Sequence, residues 1–271
     1  DFNKNIGSYE FTQALKALQE NNISGLRLMP AFDIRQGISI REREFRNMEQ
    51  YIAGSGKANV KNNIVTLFDG AIANLTLKQA ISDPDGKGKK LIDELRPFIK
   101  RFGTKKIAGE PLVYDLVNEI SGVGGVTIRQ KQVFIERLVE AFINEARGAT
   151  LTLGLENYTE MKEWLYLLKQ YKEVNFIMTF HLYKHDIQDL PAVWELNVPE
   201  NVEVWITEAD TRNGIERQLS IAMQKGYKGL FFWQDNDYPY SAKEHRLAIE
   251  RLMKEKPKTS NPEVVDHRVA L

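Results

Sequence analysis

Cysteine is absent from the 271 residues, which excludes disulfides, thiolate nucleophiles and cysteine-built zinc sites together. Histidine is scarce, with 4 copies, and none forms the His-x-His pair on an early strand that a barrel metallohydrolase would use. His181, His185 and Asp186 come nearest to a metal set, so the sequence predicts no metal and no cofactor. Neither sign of charge is in excess, with 37 basic residues against 37 acidic ones. That balance gives no footprint for nucleic acid or for an anionic membrane. No apolar stretch is long enough for a membrane span, and no secretory leader pattern is readable. The chain opens on Asp1 rather than Met, which reads as a processed or trimmed product and leaves the compartment open.

What is present alternates. Apolar, β-rich runs cover Gly25–Phe32, Asn63–Phe68, Leu112–Val117, Thr150–Leu155, Val174–Phe180, Val202–Thr207 and Gly229–Trp233. Between them lie stretches of helical period, with Phe11, Leu15 and Leu18 on one face and Phe134, Leu138, Phe142 and Ile143 on another. Helix starts are expected at Thr127, at Thr159 and at Ser241, where Glu244 completes a capping box. Strands so continuously apolar are covered on both faces, as in a parallel sheet wrapped by helices. Repeated strand–helix units in a chain of this length predict an α/β fold, a (β/α)8 TIM barrel ahead of an open doubly wound sheet. Residues 1–256 read as a single catalytic barrel and 257–271 as a C-terminal tail. Only seven strands are found, and the chain opens almost directly on a helix. The barrel is therefore expected to lack its first strand or to be truncated there. Two alternatives rank lower: a remnant in Phe2–Ile6, or the closing run Val264–Leu271 seated in the gap as in a permuted barrel.

Two strings carry the chemistry. Tyr114-Asp115-Leu116-Val117-Asn118-Glu119 and Val204-Trp205-Ile206-Thr207-Glu208-Ala209-Asp210 are apolar runs that end in acid. A carboxylate at the end of a buried strand is costly unless it pairs, hydrogen-bonds or reacts. In a barrel the C-terminal strand ends line the active site, which gathers Arg27, Asp69, Asn118, Glu119, Glu156, His181, Tyr183, Glu208 and Trp233. Each has a bland reading as well. Asn-Glu and Thr-Glu dipeptides are common on surfaces, Arg27 suits a structural ion pair, His181 a satisfied core histidine and Trp233 simple packing. Their joint placement at strand ends favours function; Asp69 stands evenly balanced, and Glu156 reads equally as a helix cap. The string Ser121-Gly122-Val123-Gly124-Gly125 precedes a helix, where amides can hold phosphate. It lacks the spacing of a phosphate loop and reads as a loop beside the cleft.

Asn-Glu after an apolar strand, His181-x-Tyr183, Thr207-Glu208 and Trp233, in this order and strand placement, resemble clan A glycoside hydrolases. Gly25-Leu26-Arg27-Leu28 resembles the arginine-bearing strand of family 5 in that clan. The resemblance implies Glu119 as general acid/base with a raised pKa, and Glu208 as nucleophile, kept ionised by Arg27 and hydrogen-bonded by Tyr183. It implies Asn118 on the sugar 2-hydroxyl, His181 shaping the same subsite and Trp233 offering a face to the sugar ring. The implied outcome is retention, with carboxyl groups about 5–5.5 Å apart, on β-linked glucan- or mannan-type chains. The family's third-strand histidine is replaced by Phe68-Asp69-Gly70, and the proline after Asn-Glu by Ile120. The two acidic strings are also similar to family 10 xylanases, which rank second. A catalytically silent carbohydrate-binding barrel is the rival from another class, and a phosphate-handling barrel enzyme, resting on the glycine loop, is a third. Carbohydrate is the expected partner, with no nucleic acid and no membrane, and the family resemblance points to an extracellular setting.

Overall fold

The structure is a computed structural model that describes residues 15–16, 24–28, 32, 42–71, 75–183, 186–210, 213–233 and 268–270, with Trp233 and the last group described as backbone. Among these residues eight parallel strands form. They are β1 (Gly25–Leu28), β2 (Asn62–Asp69), β3 (Val113–Asn118), β4 (Thr150–Thr152 with Gly154–Leu155) and β5 (Asn175–Phe176 with Met178–Leu182). They continue with β6 (Val204–Asp210), β7 (Gly229–Trp233) and β8 (Arg268–Ala270). One-residue interruptions at Leu153 and Ile177 leave the register of β4 on β5 unchanged, since Thr150 faces Asn175 and Gly154 faces Thr179. The pairings therefore run from β1 round to β7, on to β8, and back to β1.

Among the described residues no strand precedes Gly25, as expected of a barrel lacking its first strand, and a later segment takes the gap. Arg268–Ala270 lies between β7 and β1, with Val269 opposite Leu230 and Ala270 opposite Gly25. An open barrel would leave the edges of β1 and β7 with unpaired backbone groups, and this three-residue run pairs with β7 along its length and with β1 at Gly25. Arg268–Ala270 is the last of the described strands, and it pairs in parallel with both neighbours. The suggested remnant Phe2–Ile6, the face formed by Phe11 and Leu18, the Ser241–Glu244 cap, His185 and the exit stretch Lys254–Pro262 lie outside the described residues.

Helices cover the ring: α1 (Glu42–Lys57), α2 (Leu75–Ser82), α3 (Lys89–Phe102), α4 (Ile128–Glu145), α5 (Leu165–Gln170) and α6 (Ile215–Gln224). Helix α4 begins at the expected cap. The Gln130 amide donates to Thr127 Oγ1 at 3.2 Å, and the Gln130 side chain accepts from the Thr127 amide at 2.9 Å; such a cap contributes about 1 kcal/mol. The start expected at Thr159 falls at Asn157 instead, whose side chain accepts from the Thr159 amide. On α4 the buried residues Phe134, Ile135, Leu138, Val139 and Phe142 recur at three- and four-residue spacing, the period that places them on one face against the sheet.

Two apolar layers result. The larger packs strand residues such as Val65, Leu67, Tyr114 and Leu116 against the helices. The smaller, Ile64, Val113, Trp205 and Phe231 with Ile177 at the break in β5, fills the inside of the ring. There Trp205 stacks on Phe231 with ring centroids 5.8 Å apart. Gly229 leaves room for that indole: a Cβ at this position would sit 2.8 Å from the Trp205 ring.

Candidate active site

Above the inner apolar layer the ring interior turns polar. Arg27, on β1, places its guanidinium under the C-terminal ends of β3 and β6. Its Nη2 donates to Asp115 Oδ2 at 2.8 Å and to Asn118 Oδ1 at 2.7 Å, while Nη1 donates to Glu208 Oε1. Asp115 also accepts from Thr66 Oγ1 at 2.9 Å and from the Gly154 amide at 2.8 Å, so its buried charge is fully occupied. Gly154 is required here. A Cβ on it would lie 2.6 Å from Asn118 Oδ1 and 2.9 Å from Arg27 Nη2.

Glu208 reaches the site through an irregularity in β6. Trp205 faces the ring interior, and strict alternation would turn Glu208 outward. The register instead shifts between Ile206 and Glu208, so that Glu208 pairs with His181. A bulge of this kind adds one residue and re-aims the side chains beyond it. Tyr183 Oη donates to Glu208 Oε2. Glu119 arrives differently. It follows β3 with φ 46° and ψ 49°, the left-handed region, and its backbone amide donates to the Gly154 carbonyl at 2.5 Å.

His181 stands between the two glutamates. Its Nδ1 lies 2.8 Å from Glu119 Oε1 and its Nε2 lies 3.4 Å from Glu208 Oε1. One polar atom from each of the three residues lies within 4.8 Å of the others. Such a set has the donors for a divalent cation, although the Arg27 guanidinium on Glu208 already supplies the positive charge there. Exposure separates the carboxylates: the Glu119 side chain is 19% exposed and that of Glu208 6%. Burial raises the pKa of Glu208 above the ordinary glutamate value, and the neighbouring Glu119 adds to the rise. Arg27 and His181 oppose it without cancelling it. Burial thus works against the ionised state that the neighbours of Glu208, Arg27 among them, are expected to favour.

Of the residues expected from the sequence, Arg27, Asn118, Glu119, His181, Tyr183 and Glu208 converge. Asn118 is committed inward, accepting from Arg27 and donating to Asp69 Oδ1 at 3.2 Å. Asp69 thus belongs to the site as an orienter of Asn118. Trp233 ends β7 with its backbone opposite Asp210. Asp115 and Gly154 were not singled out in the sequence. An acid four residues before Glu119 inside an apolar run is the available signal for Asp115; Gly154 has none.

A ring of parallel strands with a polar cluster at its C-terminal ends is a TIM barrel. No protein-family model matches the sequence, nor does any curated protein. Solved structures do match. The chain is similar to a β-1,4-mannanase from Cryptopygus antarcticus, with 16% identity over 97% of this chain and 88% of that one, at a TM-score of 0.74. An endo-1,4-β-mannanase from Eisenia fetida matches with 17% identity over 92% and 84%, at 0.66. A broad-specificity endoglucanase of glycoside hydrolase family 5 from Bacteroides salanitronis matches with 14% identity over 89% and 84%, at 0.58. At these identities the likeness is one of fold, and the fold is the one expected from the resemblance to family 5.

Proposed function

We propose that the protein is a retaining glycoside hydrolase acting on β-linked glucan- or mannan-type chains, with Glu208 as nucleophile and Glu119 as general acid/base. One observation carries this reading: carboxylate oxygens of Glu119 and Glu208 lie within 4.8 Å of each other, bridged by His181. Retaining enzymes hold the two groups about 5–5.5 Å apart, whereas inverting ones leave about 6.5–9.5 Å for a water. The substrate class follows the neighbours in fold, two of which are named as mannanases and one as an endoglucanase.

In the first step a Glu208 oxygen attacks the anomeric carbon. The bond from that carbon to the glycosidic oxygen breaks, its electron pair goes to the oxygen, and the Glu119 proton follows. In the second step water attacks the same carbon, Glu119 takes the water's proton, and the Glu208 ester is released. The protonation states are linked. Two carboxyl groups this close share one proton more readily than they both ionise. A proton on Glu119 removes one of the influences that raise Glu208, burial being the larger, while Arg27 and His181 favour the Glu208 anion that the first step requires.

The test uses β-mannan, β-glucans and aryl β-glycosides with the wild type, Glu119→Gln and Glu208→Gln, reading the anomer first released by proton NMR. Retention, with turnover lost in Glu208→Gln by about 10³-fold or more, is expected. Inversion, or turnover surviving in Glu208→Gln, overturns the mechanism. Sugar binding without turnover in the wild type would make this a binding barrel.

A further inference from the structure

The turn behind Glu119 is held from two sides by side chains that the proposed chemistry does not use. The left-handed conformation of Glu119 is sparsely populated by residues that carry a Cβ. The next residues form a single 3-10 turn, Ile120–Gly122, and an isoleucine at position 120 leaves φ free where a proline would lock it. Lys131, in the first turn of α4, reaches across and donates from Nζ to the Ser121 carbonyl at 2.9 Å. Lysine is rarely buried, yet Lys131 is only 9% exposed. On the other side Glu160, in the 3-10 turn after β4, hydrogen-bonds the Ser121 side chain and accepts from Asn157 Nδ2 at 3.0 Å. Burial lowers the pKa of Lys131, an effect partly offset by the Glu160 and Glu163 charges.

We propose that Lys131 and Glu160 are positioning residues: by fastening Ser121 they hold Glu119 in its left-handed conformation with its carboxylate on His181, and so aim its proton at the leaving-group oxygen. The proposal rests on the reading of Glu119 as the acid. Rotation about the Glu119 backbone swings its carboxylate, and a displacement of about 1 Å can cost on the order of 100-fold in rate.

The experiment compares Lys131→Met with wild type on two aryl β-glycosides, one with a phenyl leaving group that needs protonation and one with 2,4-dinitrophenyl that does not. Expected is a fall in kcat/KM of about ten- to hundred-fold on the phenyl glycoside, with little change on the other. Lys131→Arg, which can still donate to the carbonyl, should restore the phenyl rate. Equal losses on both glycosides would mean a merely structural role and overturn the proposal. Ser121→Ala, which frees Glu160's grip alone, serves if Lys131→Met does not fold. Glu119→Gln separates the two ideas: without a leaving-group effect of its own, the acid assignment fails. The strap is then judged by the nitrogen-15 signal of His181 Nδ1, which should shift in Lys131→Met; an unmoved signal refutes it.

Discussion

Arg27 serves Asp115, Asn118, Glu208 and the Thr207 carbonyl at once, and its charge is shared between the carboxylates of Asp115 and Glu208. Asp115 is satisfied by Thr66, Gly154 and Arg27 together, so it fixes the guanidinium plane and leaves Nη1 for Glu208. That arrangement sets a pH dependence. The pKa of Glu208 is raised, mainly by burial, and the proposed mechanism requires its anion. At pH values between the ordinary glutamate value and the raised one, Glu208 is protonated and inactive. The acidic limb of kcat/KM should therefore lie above the ordinary glutamate value. In Arg27→Met, where the lowering influence of the cation is gone, it should move to still higher pH. A limb at or below the ordinary value in the wild type would contradict the assignment. At this scale the sequence was informative where an acid ended an apolar run, as at Glu119 and Glu208. It was silent on Gly154, because the need for a missing Cβ arises only when three side chains from other strands crowd against it.

Among the elements, β6 does two jobs that strict alternation would set against each other. Its lower half sends Trp205 into the ring interior, and its upper half sends Glu208 to the same interior after a register shift. Trp205 is 1% exposed and stacked on Phe231. Trp205→Ala should cost about 3–5 kcal/mol of unfolding free energy, read by urea denaturation; a loss under about 1 kcal/mol would show that the inner layer collapses around the gap. The apolar runs identified seven strands in the right order because parallel strands are covered on both faces. Their ends are less legible: β5 runs to Leu182 and β6 to Asp210, beyond Phe180 and Thr207, where the apolar runs stop. Those extensions depend on partners across the ring, and a bulge depends on two neighbours' registers, neither of which local periodicity contains.

For the whole molecule, the eighth strand decides whether the ring is complete. Arg268–Ala270 follows a polar, proline-containing stretch and is very short, so its pattern read as a tail; only the paired edges of β7 and β1 give it a place. Removing residues 268–271 should lower the melting temperature by about 5–10 °C, the shift expected for a loss of a few kcal/mol in a chain of this size. An unchanged melting temperature would mean that β8 contributes nothing to stability. The same strand also bears on how the molecule comes into being. Gly25 and Ala270 are neighbours in the ring yet stand at nearly opposite ends of the chain. Without β8 the ring has an open seam beside Arg27, and closing so long a loop is slow. Closure of that seam is therefore expected to come late in folding, when β1 gains strand neighbours on both sides.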